Sequence, residues 1–249
     1  MKAMGRRRKL AQYFTPQPVV GFALDALVGL GLSKARARVI DPACGAGVFL
    51  VEARRRFPRA DVWGCDLDAG LAERWRAAGL DGPRVHMLIQ DGLLDAPLWG
   101  VGAGQFDLVL GNPPYGLGMP RPGRGEAIEA LFVRRFVELA GSGGWIALVV
   151  PEGIVASDRA QGLRDWVLER TSLQAVVALP EDTFARAGTK ARTALLLARK
   201  GGNAGEETLL ASPSAQCRGR EALAAYLDET LSAIKRKGSD APPGHRRRA

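Results

Sequence analysis

The sequence predicts an α/β fold in which a mostly parallel sheet carries helices on both faces. Two observations lead to this prediction. Short apolar runs alternate with amphipathic stretches, and hydrophobic residues make up 47% of the 249-residue chain, as in an ordinary globular protein. We predict seven strands, at residues 38–41, 61–66, 85–90, 106–111, 144–150, 173–179 and 192–199. We predict helices at residues 18–29, 48–56, 69–78, 125–140, 159–169 and 220–237.

Composition restricts the location and the partners of the chain. No apolar run approaches the roughly 20 residues of a membrane span, and no apolar signal core follows the basic residues 6–9. We therefore expect a cytoplasmic protein with no membrane partner. A formal net charge of +9 favours partners that carry phosphate, because neutralising phosphate releases counterions. The three scattered cysteines and two histidines predict neither a disulfide framework nor a metal site.

A glycine-containing turn follows the first predicted strand. Residues 41–47 read DPACGAG, and a predicted helix begins directly after them. Small residues let the backbone approach a ligand closely and leave the helix N-terminus open. The spacing is not the full dinucleotide fingerprint, and the lysine of a phosphate-binding loop is absent. The turn is therefore either a cofactor site or an ordinary tight turn.

Acidic residues end the next two predicted strands. Asp66 comes about 20 residues after the glycine turn, the position from which an acid reaches ribose hydroxyls. Asp68 is placed to cap the following helix. Asp91 is positioned to accept a hydrogen bond from an adenine amino group, although Asp91-Gly92 is also a common turn sequence.

The tetrapeptide Asn112, Pro113, Pro114 and Tyr115 follows the fourth predicted strand. Two prolines hold the backbone rigid, so that the Asn112 side-chain oxygen and the Pro113 carbonyl can both accept from one NH2 group. Two aligned acceptors favour a more tetrahedral nitrogen, whose lone pair is then available to attack a methyl group in line. Tyr115 can stack on a planar substrate. The competing interpretation is a proline-rich turn with Tyr115 in the core.

The chain resembles the N6-adenine DNA methyltransferases, in the subgroup that includes type I and related restriction–modification methylases. The resemblance covers residues 11 to 200 and rests on family segments that occur in the expected order, at residues 13–20, 41–47, 66, 91, 112–115, 143–153, 179–184 and 189–194. It implies a Rossmann-like, seven-stranded methyltransferase sheet with S-adenosylmethionine bound across the strand tips. The cofactor ligands that it implies are Thr15, Asp41, Ala43, Gly45, Gly47, Asp66 and Asp91.

The resemblance also implies a DNA substrate. The target adenine would flip out of the duplex into a pocket beside Asn112 and Tyr115, with Phe184 as a second stacking surface. We divide the chain into a basic tail (1–10), a catalytic domain (11–200), a helical appendage (201–238) and a disordered basic tail (239–249). Because no target-recognition domain is evident, site recognition would come from a specificity subunit, from loop 116–124, or be relaxed.

Two other functions remain open at this point. The same core and tetrapeptide serve methylation of a protein glutamine side chain or of an RNA base amine. A non-catalytic subunit that retains the fold is the other alternative, although the tetrapeptide is intact. A nicotinamide enzyme is disfavoured because no catalytic acid–base set accompanies the glycine turn.

Overall fold

A single sheet of eight strands organises the computed structural model, which describes residues 15–33, 36–94, 102–115, 126–185, 191–201 and 207–240. The strand order is β3-β2-β1-β4-β5-β7-β6-β8. In chain order the strands are β1 (Arg38–Asp41), β2 (Asp61–Asp66), β3 (Val85–Ile89), β4 (Phe106–Gly111), β5 (Ala140–Pro151), β6 (Thr171–Ala178), β7 (Thr193–Lys200) and β8 (Leu209–Ala211).

Most neighbouring strands in this sheet are parallel, as the sequence predicts. The exception is β7, which lies antiparallel between β5 and β6, with Val149 opposite Leu195 and Val177 opposite the same residue. The carboxyl ends of all the other strands therefore meet at one edge of the sheet. Open parallel sheets bind ligands at that edge.

The prediction of seven strands is wrong by one. Strand β8 pairs in parallel with β6, with Ala175 opposite Leu209 and Val177 opposite Ala211, and forms an edge of the sheet. It has only three residues, too few to show the alternation by which a strand is recognised. Its conformation depends on the hydrogen bonds that β6 offers, so no local signal in the sequence reveals it.

Helices cover both faces of the sheet. They are α1 (Gln17–Gly29), α2 (Val48–Arg56), α3 (Ala72–Ala77), α4 (Ile128–Leu139), α5 (Glu152–Ala156), α6 (Gln161–Leu168) and α7 (Gly219–Asp240). Short 3₁₀ turns, Ala69–Leu71 and Asp158–Ala160, precede α3 and α6, so the helices predicted at 69–78 and 159–169 begin as tighter turns. The five-residue helix α5 was not predicted from the sequence.

Two cores form because successive strand residues face opposite sides of the sheet. Leu108 and Leu110 of β4 pack with α1, α2, α3 and α7 on one face. Val109, between them, packs with α4, α5 and α6 on the other face. Burial on both faces explains why the strands read as continuous apolar runs.

The C-terminal helix α7 packs on this same fold. Its Leu223, Leu227 and Ile234 are buried in the core that contains α1. A Cβ atom at Gly238 would lie 2.1 Å from the carbonyl oxygen of Gly29, so the two helices cross closely at their C-terminal ends. Segment 201–238 thus adds a strand and a helix to the sheet and core, and its separation as an appendage stays a prediction. The tail predicted at 1–10 lies outside the described residues. Of the disordered tail predicted at 239–249, residues 239 and 240 are helical and end α7, and 241–249 lie outside the described residues.

None of the helices in the described ranges combines the length and the apolar character that crossing a bilayer requires.

Candidate active site

The glycine turn connects β1 to α2 at the carboxyl edge of the sheet. Gly45 and Gly47 adopt left-handed backbone conformations, with φ of 52° and 82°, which residues other than glycine rarely adopt. Gly47 is the N-cap of α2, and a Cβ atom there would lie 2.3 Å from a Leu80 methyl carbon. A Cβ atom at Gly45 would meet no atom within 4 Å. The turn is therefore tightly packed on one side and open beside Gly45.

Both backbone groups of Gly45 are held by neighbouring segments. Its N–H donates to Oδ2 of Asp66 at 3.0 Å, and its carbonyl accepts a 2.7 Å hydrogen bond from the indole Nε1 of Trp75. Trp75 lies on α3 and is buried. The sequence does not mark Trp75 as a site residue, since a buried tryptophan on a helix resembles an ordinary core residue.

The carboxylate of Asp66 stands at the end of β2 and faces the glycine turn. Its second oxygen, Oδ1, accepts from the backbone N–H of Asp68 at 2.9 Å, so both oxygens have fixed directions. The side chain of Asp68 accepts from Gly70 N at 3.0 Å and caps the 3₁₀ turn, which confirms the prediction of a cap. The ribose role of Asp66 stays a prediction.

Asp41 is buried behind the glycine turn. Its Oδ1 accepts from the N–H of Ala43 at 3.0 Å, and a Cβ atom at Gly111 would lie 2.6 Å from the same oxygen. Burial raises the pKa of Asp41 to about 8, and the nearby charge of Asp66 acts in the same direction. Asp41 thus binds the glycine turn at Ala43 and lies against the end of β4 at Gly111. Direct contact of Asp41 or Ala43 with a cofactor stays a prediction.

Asn112 and Thr15 come together where β4 ends. The Asn112 Nδ2 donates to the Thr15 hydroxyl at 3.1 Å, across 97 residues of chain. Thr15 is 6% exposed and precedes Pro16, the N-cap of α1. The structure thus joins the segment predicted to serve the cofactor to the tetrapeptide predicted to serve the acceptor.

Buried charges fix the position of α1 against α2. Glu52 of α2 is 5% exposed, accepts from Gln17 Nε2 at 3.0 Å, and contacts the Arg56 guanidinium. Arg56 also binds Asp25 of α1, at 2.8 Å between Nη2 and Oδ2. Because Gln17 is two residues from Thr15, this network sets where the N-terminal end of α1, and therefore Thr15, lies.

The aromatic residues proposed to stack on the substrate are both buried. Tyr115 is 4% exposed, beside a segment, 116–125, that lies outside the described residues. Phe184 is 1% exposed and packs in the core that contains α1. The structure places Phe184 in that core, and the stacking roles of Tyr115 and Phe184 both stay predictions. Residues 13, 14, 189 and 190 of the family segments are also outside the described ranges.

The turn after β3 carries Asp91 and is packed against the glycine turn. Asp91 Oδ1 accepts from Leu93 N at 3.0 Å, which shapes the turn. A Cβ atom at Gly92 would lie 1.8 Å from the carbonyl oxygen of Pro42, so only glycine fits this contact. The strands β3, β2, β1 and β4 are neighbours in the sheet, and their carboxyl ends carry Asp91, Asp66, Gly45 and Asn112, respectively.

A family model described as N-6 DNA Methylase matches residues 2–221. The chain belongs to the N-6 DNA methylase family. The family resemblance drawn from the sequence is thereby confirmed.

Individual members and neighbours agree with this assignment. The chain is 22% identical over 199 residues to the type II methyltransferase M.CvrRI of Paramecium bursaria Chlorella virus XZ-6E, covering 76% of this chain and 48% of that protein. It is 30% identical over 226 residues to the type II methyltransferase M.TthHB8I of Thermus thermophilus, covering 78% and 46%. The methyltransferase subunit of a type I restriction–modification system from Streptococcus thermophilus has the same fold, with a TM-score of 0.73 at 20% identity, covering 90% of this chain and 53% of that one. The chain spans about half the length of the curated relatives it matches.

Proposed function

We propose that this N-6 DNA methylase family member transfers a methyl group from S-adenosylmethionine to the N6 amine of adenine in DNA. The observation that carries the proposal is the position of Asn112, at the carboxyl end of β4, with its amide nitrogen bound to Thr15. That bond directs the amide oxygen away from Thr15, where it can accept from a substrate amine.

The residues around the glycine turn fit S-adenosylmethionine. Gly45 has open space beside it, and the N-terminus of α2 begins at Gly47. Asp66 presents a carboxylate at the end of β2, and a carboxylate can accept the two hydrogen bonds that a ribose diol donates. Asp91 supplies an acceptor for the adenine amine, and Thr15, Asp41, Ala43 and Gly47 complete the proposed set of cofactor residues. The bound cofactor supplies an electrophilic methyl group on a sulfonium.

The proposed mechanism uses orientation and electrostatics rather than a strong base. Asn112 Oδ1 and the Pro113 carbonyl accept hydrogen bonds from the two N–H groups of the target amine, which shifts the nitrogen toward tetrahedral geometry. Held in this way, the amine would present its lone pair to the methyl group that bound S-adenosylmethionine would supply, and its proton would leave to solvent. Pro114 keeps the backbone rigid, and Tyr115 stacks on the flipped base.

DNA is the proposed partner. The net charge of +9 favours phosphate contacts. We propose that a separate specificity or target-recognition unit selects the methylated site. The type I subunit from Streptococcus thermophilus is named as part of a restriction–modification system, which supports this arrangement.

The test of this function is an acceptor assay. Purified chain is incubated with labelled S-adenosylmethionine and unmethylated genomic DNA, with RNA and total cell protein as parallel acceptors, and the methylated product is identified by mass spectrometry. We expect N6-methyladenine in DNA. Label in RNA or protein alone would keep the methyl-transfer chemistry and refute the DNA substrate. Cofactor binding without any product would indicate either that the separate specificity unit is required or that the chain is a non-catalytic subunit.

A further inference from the structure

The turn formed by residues 91–94 is held between two segments that are distant in sequence. On one side Gly92 presses against the Pro42 carbonyl of the glycine turn. Within the turn, Leu93 N donates to the Asp91 side chain at 3.0 Å, and Leu94 N donates to the Asp91 carbonyl at 3.2 Å. These bonds tie the Asp91 carboxylate to the turn, so the position of the carboxylate depends on the contacts that hold the turn in place.

Arg135 of α4 holds the other side of the turn. Its Nε donates to the carbonyl of Gly92 at 3.0 Å, and its Nη2 donates to that of Leu94 at 2.6 Å. The side chain is 7% exposed, and Nη1 lies 3.8 Å from the Glu138 carboxylate. A buried guanidinium is costly unless its donors are well used. Here the rigid fork fixes two carbonyls of one four-residue turn.

We infer that Arg135 is a positioning residue that sets the place of the Asp91 carboxylate, and through it the preference of the cofactor site for adenine. The inference rests on the proposed function, in which Asp91 accepts from the adenine amine of S-adenosylmethionine. Lysine cannot substitute for Arg135, because a single ammonium on a flexible stem cannot hold two separate carbonyls in a fixed geometry.

The neighbouring Arg134 provides a matched control. Its guanidinium binds the Glu126 carboxylate, at 3.1 Å between Nη2 and Oε1, and lies 4.8 Å from the centre of the Trp166 ring. Both arginines are on α4, and the same Arg→Lys change can be made at each. Arg134 thus binds Glu126 and lies on Trp166, whereas Arg135 binds the two carbonyls of the turn.

The decisive measurement compares two ligands by calorimetry: S-adenosylhomocysteine and its inosine counterpart, in which a carbonyl oxygen replaces the adenine amine. We expect the wild type to prefer the adenosyl ligand about tenfold, the value of roughly one well-made hydrogen bond to a charged group. Asp91→Asn should abolish the preference, because an amide can donate or accept. Arg135→Lys should reduce it to less than about threefold, and Arg134→Lys should keep it.

The outcomes separate this inference from the proposed function. If Arg135→Lys keeps the preference of the wild type and Asp91→Asn loses it, the role of Arg135 is overturned and the cofactor site is left intact. No preference in the wild type would remove Asp91 from the cofactor site and overturn this inference, whereas the proposed function stands or falls separately on the acceptor assay. A general loss of fold stability would weaken both ligands equally and leave their ratio unchanged, so the ratio distinguishes positioning from a merely structural role.

Amide hydrogen exchange supplies a ligand-free test. If Arg135 holds the turn, the amides of Leu93 and Leu94 exchange at least about tenfold faster in Arg135→Lys, because local opening costs less. Arg134→Lys should leave them unchanged. Should Arg135→Lys fail to fold, Arg135→Gln, which retains one donor group, takes its place. Unchanged protection of both amides in the folded variant would overturn the inference.

Discussion

The side-chain amide nitrogen of Asn112 donates a 3.1 Å hydrogen bond to the hydroxyl of Thr15. Thr15 enters the site from the start of α1, and Asn112 from the end of β4. Gln17 and Asp25 of α1 bind Glu52 and Arg56 of α2, and these bonds between the helices support the contact from a distance. The orientation of the proposed acceptor group thus depends on a residue that the sequence assigned to the cofactor.

Thr15→Val should lower kcat about fivefold while the chain remains folded. Valine keeps the shape of threonine but leaves the Asn112 amide without this acceptor, a loss of about 1 kcal/mol. Steady-state methylation of DNA gives kcat, and calorimetry with S-adenosylhomocysteine gives the cofactor Kd. Thr230→Val is the control, since Thr230 is equally buried but bonds only within α7, to the Tyr226 carbonyl. A raised Kd with unchanged kcat would make Thr15 a cofactor residue only.

Asn112→Ala should abolish methyl transfer and leave cofactor affinity nearly unchanged. The substitution removes the oxygen proposed to accept from the target amine, and removing one preorganised group of this kind costs about 100-fold or more in kcat. Asn112→Asp is the matched variant, because its carboxylate still accepts hydrogen bonds, and we expect it to retain measurable turnover. Substantial activity in Asn112→Ala would refute the proposed catalytic role.

Asp66→Ala should weaken S-adenosylhomocysteine binding at least about tenfold, because it removes both acceptor oxygens proposed for the ribose. Asp68→Ala is the matched control two residues away. It removes the cap on Gly70 and costs about 1 kcal/mol of stability, without affecting the proposed ligand contact. Calorimetric Kd values and unfolding midpoints distinguish the two effects. Equal affinities in the two variants would exclude Asp66 from the cofactor site.

The stability of the protein should fall as the pH rises from about 4 to about 8, through Asp41. Burial raises the folded-state pKa of Asp41 to about 8 from 3.8, so between these values the folded state retains a proton that the unfolded state has lost. The contribution of Asp41 to the free energy of unfolding therefore decreases by about 1.4 kcal/mol per pH unit in this window and is constant outside it.

Asp41→Asn tests this prediction, because the amide resembles the protonated acid and does not titrate. Urea unfolding at pH 5.5, 6.5 and 7.5 should give a flatter pH dependence for Asp41→Asn than for the wild type. Asp228→Asn, an exposed position on α7, serves as the control and should retain the wild-type slope. Parallel profiles for wild type and Asp41→Asn would show that Asp41 keeps an ordinary pKa in the folded protein.

Local patterns in the sequence were enough to predict most of the fold. Strands β1, β2 and β4 have the predicted bounds, and β3, β5, β6 and β7 differ from theirs only at the ends. Each of these strands has at least four residues and carries apolar side chains at its centre. The three-residue β8 has no such signal and is stabilised by pairing with β6.

Side chains that act across the fold were harder to predict. Phe184 has the sequence context of a possible stacking residue, yet it is buried in the core. Trp75 and Arg135 have no local signal of function, since each acts on a backbone carbonyl 30 or more residues away. Such bonds depend on how helices pack on the sheet, and periodicity does not encode that packing.

By itself, the sequence determined the α/β class, the positions of the first seven strands along the chain, and the chemistry of the candidate groups at the ends of β1, β2, β3 and β4. These follow from local preferences: apolar runs form strands, and small or acidic residues end them. The tertiary structure alone decided the eighth strand, the contact of Asn112 with Thr15, and the hydrogen bonds of Arg135 to the turn that carries Asp91. Each of these needs two segments to meet in space, and only the packed core brings them together.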